Sequence, residues 1–232
     1  MFINVTHNFQ KECGEKDADR YSKKLQHYHQ YLWSKSLPNG QLFTLTCSSQ
    51  NRLHHKSGLG EFYLSSDRAI NTFSHWKKTK KIADRFPTEE INHFNSLTET
   101  IGAIMIWPST RVNGKTTING ARGMNSKISD RLDLTIECIR RFYRDERSPL
   151  WETFRRYQKY FSLFTNFKGY VDFFLLQDAV SDNYKSVLIA SPFDDFHSAP
   201  IPKTISEYRD YMRQVSEFVN ARNKRIAEFC SG

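Results

Sequence analysis

The period of apolar and polar positions changes along the chain, and those changes predict its elements. Between residues 17 and 33, Leu25, Tyr28 and Leu32 recur at helical spacing, with Asp17 or Asp19 placed to cap a helix. Pro38-Asn39-Gly40 reads as a turn, and Leu42 to Cys47 then alternates as a strand does. A further strand is expected within 52–64, ending near Glu61-Phe62-Tyr63-Leu64. Ser65, Ser66 and Asp67 read as the start of a helix to about Lys80, because their side-chain oxygens can accept from the free N–H groups of a first turn. Thr88 is placed to cap another helix, running to about Thr100.

The clearest β signal follows. Ala103 to Trp107 is an apolar run of strand length, and Asn113-Gly114 suits a type I′ turn, in which both central residues need positive φ. The return strand is expected at Lys115 to Ile118, making a hairpin, and Ala121-Arg122-Gly123 reads as a glycine-punctuated loop. Asp130 to Arg144 carries the most regular helical stripe, through Leu132, Ile136, Ile139 and Tyr143. Ser148-Pro149 opens a helix to about Phe164. Tyr170 to Val180 is apolar around Asp172 and Asp178, and its pattern leaves helix and strand open. Val187 to Ala190 reads as a strand, Pro192 to Pro202 as a loop, and Ile205 to about Phe229 as a long final helix. The sum is an α+β fold: one globular domain over 1–232, helix-rich, with a small antiparallel sheet and a long C-terminal helix.

Composition adds to this picture. With 18 Phe and 11 Tyr in 232 residues, rings are expected to fill the core. No stretch approaches the length of an apolar membrane span, and Met1 to Gln10 lacks a basic start followed by an apolar run. A cytoplasmic chain with no membrane partner is expected. Cys13, Cys47, Cys138 and Cys230 are far apart without a CxxC pair, which argues against ribbon-type zinc and, in the cytosol, against disulfides. The net charge of +9 favours an anionic partner, nucleic acid or nucleotide first.

Four polar clusters carry candidate chemistry. His54 and His55, with Lys56 and Glu61, offer proton transfer near neutral pH beside a phosphate-holding cation. On a strand the two histidines point to opposite sides, so the plainer alternative is one core and one surface histidine. Asn119, Arg122 and Arg131 form a second set with Asp130 and Asp133; a Gly-flanked arginine before a helix suits an anion grip, against an ordinary capped loop with a surface ion pair. A third is the basic run Arg140 to Lys159, interleaved with Tyr143, Trp151, Phe154 and Tyr157. It matches either a nucleic-acid surface or a core with a solvated face. The fourth is acidic. Asp172 and Asp178 sit in apolar sequence, where an ionised carboxylate needs a partner such as Arg122 or Arg131. No spacing is diagnostic of a metal site, and no cofactor is identified.

Several of these segments together resemble an uncharacterised family of bacterial proteins, a domain of unknown function, over nearly the full chain. They include Leu53-His54-His55-Lys56-Ser57, Thr117-Ile118-Asn119-Gly120-Ala121-Arg122-Gly123, Asp130-Arg131-Leu132-Asp133, Gly169-Tyr170-Val171-Asp172 through Asp178, and Pro192-Phe193-Asp194-Asp195-Phe196. The resemblance implies one domain whose polar segments line one site, and brings no activity with it. The leading expectation is a bacterial protein that binds or processes nucleic acid or a nucleotide, with a toxin or phage-defence setting as its context. In it Arg122 and Arg131 grip phosphate while His54 or His55 acts with Glu61. The alternatives are an enzyme on a small anionic or ADP-ribose-containing substrate, and a non-catalytic interaction module. The sharpest structural expectation places Arg122 in a polar pocket with His54, His55 or Glu61.

Overall fold

A computed structural model describes residues 3–14, 16–48, 52–74 and 76–231. After a short α1 (Phe9–Cys13), two helices, α2 (Ala18–Tyr21) and α3 (Lys23–Trp33), replace the continuous helix expected over 17–33. Asp17 caps α2, and the Ser22 side chain then restarts the chain as the N-cap of α3, accepting from Leu25 N. Strands β1 (Lys35–Ser36) and β2 (Leu42–Phe43) make a small ribbon around the turn at Pro38. Strands β3 (Thr46–Cys47), β4 (Leu53–Ser57), β5 (Gly60–Arg68) and β6 (Ile104–Pro108) form an antiparallel sheet in that order.

Strand β5 overturns the helix expected from Ser65 onward. It is paired on both edges, with Leu53 opposite Leu64 on one side and Pro108 to Ile104 opposite Leu64 to Arg68 on the other. The β6 ladder through Arg68, continuing the strand that β4 pairs up to Leu64, outweighs a local capping signal in Ser65, Ser66 and Asp67. Helix α4 is confined to Lys77–Ala83, with residue 75 of the expected helix outside the described residues. Helix α5 (Thr88–Leu97) leads through a short 3₁₀ turn into β6, with Pro87 rather than Thr88 at its N-cap.

The hairpin expected at Asn113-Gly114 is also corrected. The turn has the anticipated positive φ at both residues, 51° and 69°, but no strand follows. Instead Thr117 caps α6 (Ile118–Met124) by accepting from Gly120 N. Residues 119–123 are therefore helix, not loop. Gly120 is needed there for space, since a Cβ would lie 2.2 Å from Thr116 Oγ1.

The second half is helical: α7 (Leu132–Tyr143), α8 (Trp151–Arg156), α9 (Gln158–Ser162), α10 (Phe167–Phe173) and α11 (Ile205–Ser231). Residues 148–164, expected as one helix, break at Tyr157 into α8 and α9. Residues 170–180 resolve as the end of α10 plus a 3₁₀ turn, and 187–190 contributes only a bridge from Val187 to Val180. One continuous core joins sheet and helices, rich in rings such as Trp33, Trp107, Tyr160, Phe164 and Tyr170. Helix α11 buries Tyr208, Tyr211, Met212, Val215, Val219, Arg222 and Ile226, the three- and four-residue steps of a stripe. Gly102 lets it approach, because a Cβ there would meet Asn223 Oδ1 at 2.6 Å. The chain is thus α+β, with a small antiparallel sheet and a long C-terminal helix. Among the described residues no helix is long and apolar enough to cross a membrane.

Candidate functional site

One face of β5 organises most of the polar motifs. Successive strand residues point to opposite sides, so Glu61, Tyr63, Ser65 and Asp67 share a face. His54 stands opposite Tyr63 and stacks on it, with ring centroids 4.7 Å apart, and its Nε2 is 3.9 Å from Glu61. Glu61 in turn pairs with exposed Lys56 at 3.2 Å. Farther along, α6 covers the same face. Asn119 Nδ2 donates to Ser65 Oγ at 3.4 Å, and Arg122 reaches Asp67.

That arrangement explains why Arg122 shares no pocket with His54, His55 or Glu61. Tyr63 and Asp67 are four strand residues apart, roughly 13 Å. His55 faces the other way, buried and stacked on Phe43 at 3.8 Å, with Nδ1 against Thr44 O at 3.0 Å. Burial holds its pKa below the ordinary histidine range. The expected division into one core and one outward histidine matches this placement.

Arg122 is fully buried, 4.5 Å over the Trp107 ring, and each of its three nitrogens donates to the protein. Nε donates to Thr135 Oγ1 at 2.8 Å, and Nη2 to the Ala69 and Asp130 carbonyls at 3.0 and 3.2 Å. Nη1 serves two carboxylates, Asp67 Oδ2 at 2.8 Å and Asp130 Oδ1 at 3.1 Å. All three nitrogens are committed to the protein, and the side chain is shut off from solvent, so it presents no open grip for a phosphate. Its carboxylate partners are therefore Asp67 and Asp130, not Asp172 or Asp178.

Arg131 is buried as well, and all five of its N–H groups are engaged. It forks onto Asp133 at 3.2 and 2.5 Å and donates to the carbonyls of Pro192 (2.8 Å), Pro200 (3.1 Å) and Ala190. Asp172 is held by Lys168, Gln177 (3.0 Å) and Tyr184 (2.8 Å), and Asp178 by both arms of Arg225 at 2.8 Å. Both embedded aspartates are thus ion-paired, with Lys168 and Arg225 in place of the expected arginines. In the basic run, Arg140 and Arg141 converge on buried Glu137, while Trp151, Phe154 and Tyr157 belong to the core.

Asp67 and Asp130 open into a cleft of about 580 Å³ between α1, α2, α5 and the end of β5. Asp19, Ser66, Arg68, Thr72, Asn95 and Glu99 also line it. Its carboxylates outnumber its one lining cation, Arg68, which Glu99 already pairs. Asp19 accepts from Ser66 N and Oγ at 2.7 and 2.9 Å, tying α2 to the strand. Asn95 Oδ1 is buried without a hydrogen-bond partner among the described residues. Asp67 and Asp130 each use one oxygen on Arg122, and the other oxygen of each accepts no hydrogen bond among the described residues. Their side chains stay 31% and 37% exposed at the cleft wall.

Burial pushes the Asp67 pKa up to about 6, against the pull of Arg122 and with help from the neighbouring Asp130 charge. Asp130 is raised for the same first reason, burial, opposed by Arg122 and Arg68. The backbone here is unusual as well. Ser129 and Asp130 both have left-handed φ, 50° and 58°, and so does Phe73 at 55°. Asn71 pins both segments, donating to Ser129 O and accepting from Phe73 N, each at 2.7 Å. Local strain fixed by dedicated bonds is a feature of functional sites.

A larger cavity of about 870 Å³ lies between α7, residues 177–190 and α11. Two of its carboxylates, Asp133 and Asp178, are closed by arginine forks, and its walls are mostly apolar, so the smaller cleft carries more chemistry. Among the described residues no group of three or more His, Cys, Asp or Glu is placed to hold a metal ion. Sequence reasoning did not select Asp67, Asp19, Glu99 or Asn95 for this site. The usable signal was the strand alternation through Gly60 to Arg68, which puts Asp67 on the Glu61 face.

The chain belongs to a family of unknown function (DUF6994), which matches residues 3–226. No curated protein and no solved structure matches it.

Proposed function

We propose that the chain is an enzyme whose acid–base centre is the Asp67–Asp130 pair, acting on a glycosidic-type bond in a small hydroxylated substrate. One observation carries the reading: two carboxylates share one fully buried guanidinium nitrogen, and each keeps a free oxygen at the wall of a cleft. Such a pair divides the work when one member holds its proton near neutral pH. Asp67, raised to about 6, donates a proton to the leaving atom. Asp130, beside Arg122, supports the positive charge that develops on the sugar-like carbon or draws a proton from water. Ser66, Thr72, Ser74 and Asn95 supply the neutral donors and acceptors that substrate hydroxyls need. The carboxylate-rich wall disfavours an anionic group inside the cleft. A nucleoside or glycoside fits it better than a free phosphate.

The test is hydrolysis of a panel of nucleosides and aryl glycosides, read by released base or phenol. Turnover of one class, lost by about 10²-fold or more in Asp67→Asn and in Asp130→Asn, is the expected result. Turnover that survives both substitutions would place the chemistry elsewhere.

A second reading, nucleic-acid binding, draws on α4. Lys77, Lys80 and Lys81 are exposed there, and none has a carboxylate in ion-pair reach among the described residues. Affinity for a short single strand that falls steeply with salt, and weakens when these three lysines become Gln, supports it. Salt-independent or absent binding removes it.

A further inference from the structure

Lys35 lies on β1, away from the carboxylate cleft. Its Nζ sits among three aromatic rings, 5.2 Å from the Trp33 centroid, 5.0 Å from Phe173 and 4.5 Å from Phe229. No carboxylate lies within ion-pair reach of it among the described residues. It also lines an open pocket of about 390 Å³, walled by Leu37, Pro38 and Phe173 with Asn166, Lys168 and Asp172 at the polar side. The charged groups around it come from two helices. Asp172 of α10 is committed to Lys168, Tyr184 and Gln177. Arg222 of α11 is fully buried and donates only to the carbonyls of Gly102, Ile104 and Phe174, at 3.0, 3.2 and 3.0 Å. Among the described residues that guanidinium has no carboxylate in ion-pair reach, and Cys230 is a further titratable neighbour of Lys35.

We propose that Lys35 is a carbonyl-capturing amine, and that the pocket it lines takes a small aldehyde with an aromatic or aliphatic body as a Lys35 imine. Rings stabilise an ammonium by their faces, yet they cannot replace the water or carboxylate that a lysine usually has. Burial first, and Arg222 second, lower the Lys35 pKa to about 8, with Asp172 acting weakly against them. At pH 7.5 about a quarter of such amines are uncharged, against about one in a thousand for an ordinary lysine. A neutral, partly desolvated amine beside an apolar wall is the arrangement that activates lysine toward carbonyl carbon. The uncharged Nζ attacks that carbon, and the carbonyl oxygen takes a proton to give a carbinolamine. The same oxygen then leaves as water, and the nitrogen lone pair closes the C=N bond. One water is released per imine, and no oxidant or reductant takes part.

The experiment uses the full chain with benzaldehyde and cyanoborohydride, which reduces any imine to a stable benzylamine. Peptide mapping by mass spectrometry follows each lysine over pH 6 to 10. Lys35 is expected to be labelled at least tenfold faster than exposed Lys168 at pH 7.5. Its rate should level off near pH 8, while the other lysines keep rising. Labelling of Lys35 no faster than Lys168, or a Lys35 rate still climbing past pH 9, would overturn the proposal.

Discussion

Arg122 and Arg131 stand nine positions apart, both fully buried and both with all three guanidinium nitrogens bonded to the protein. They differ in what their carboxylates have left over. Asp133 spends both oxygens, on the Arg131 fork and on Ala190 N at 2.9 Å, so the cluster is closed and pins residues 190–200 to the start of α7. Asp67 and Asp130 each spend one oxygen on Arg122 and turn the other toward a cleft. A buried ion pair whose acceptors are exhausted is architecture; one whose acceptors are half used at a cavity wall can still exchange protons.

The same substitution at the two places separates them most strongly. Asp133→Asn leaves the buried Arg131 charge without its partner and should cost about 3–5 kcal/mol in urea unfolding at pH 7. Asp67→Asn should leave the midpoint near that of the parent while removing turnover. Equal destabilisation by both would make the cleft pair structural. Next in size is Arg122→Lys, which keeps the charge but loses the fork. It should lower stability by at least about 1.5–3 kcal/mol, since charged hydrogen bonds to Asp67, Asp130 and two carbonyls cannot all be remade. A stable Arg122→Lys protein altered only in ligand response would restore the anion-grip role.

A pH effect follows in size. The folded pKa of Asp67 is raised to about 6 from 3.8, so the folded chain holds this proton more tightly than the unfolded one. Its contribution to stability is full below about pH 4 and is lost as pH rises through 6. Asp67→Asn removes that loss. The variant should therefore gain stability relative to the parent between pH 4 and 6, starting below it and drawing level, with a constant difference above pH 6. Asp130 and Asp19, raised by burial as well, leave part of the slope in both proteins. A constant difference across that window contradicts the raised pKa. The smallest effect is expected at His54. Its 3.9 Å approach to half-exposed Glu61 is a surface pair, so His54→Ala should change stability by less than about 1 kcal/mol and leave turnover intact. A large loss of turnover would return catalysis to the histidine cluster.

The long amphipathic elements were legible in the sequence. The stripe of Leu132, Ile136 and Ile139 is buried in α7, and the final helix runs from Ile205 as its periodicity requires. The opposed histidines also follow from alternation alone. What failed was local punctuation read without its neighbours. Asn113-Gly114 formed the expected backbone turn, but Thr117 capped a helix where a return strand was expected. Ser65-Ser66-Asp67 looked like a helix start and became the closing stretch of a strand, paired with β6. That second error hid the site, because Asp67 meets Asp130 and Arg122 only once β5 runs through Arg68 under α6. Fifty-five residues separate Asp67 from Arg122 along the chain, and no short-range pattern announces such a contact.

The most direct test of the acid–base assignment is the proton on Asp67 itself. Carbon-13 NMR of aspartate-labelled protein, with the Asp67 carboxyl signal assigned by its loss in Asp67→Asn, follows that group from pH 3 to 8. A midpoint near 6 is predicted, moving when Asp130 becomes Asn because the neighbouring charge is gone. A midpoint below 4, unmoved in Asp130→Asn, would contradict the account.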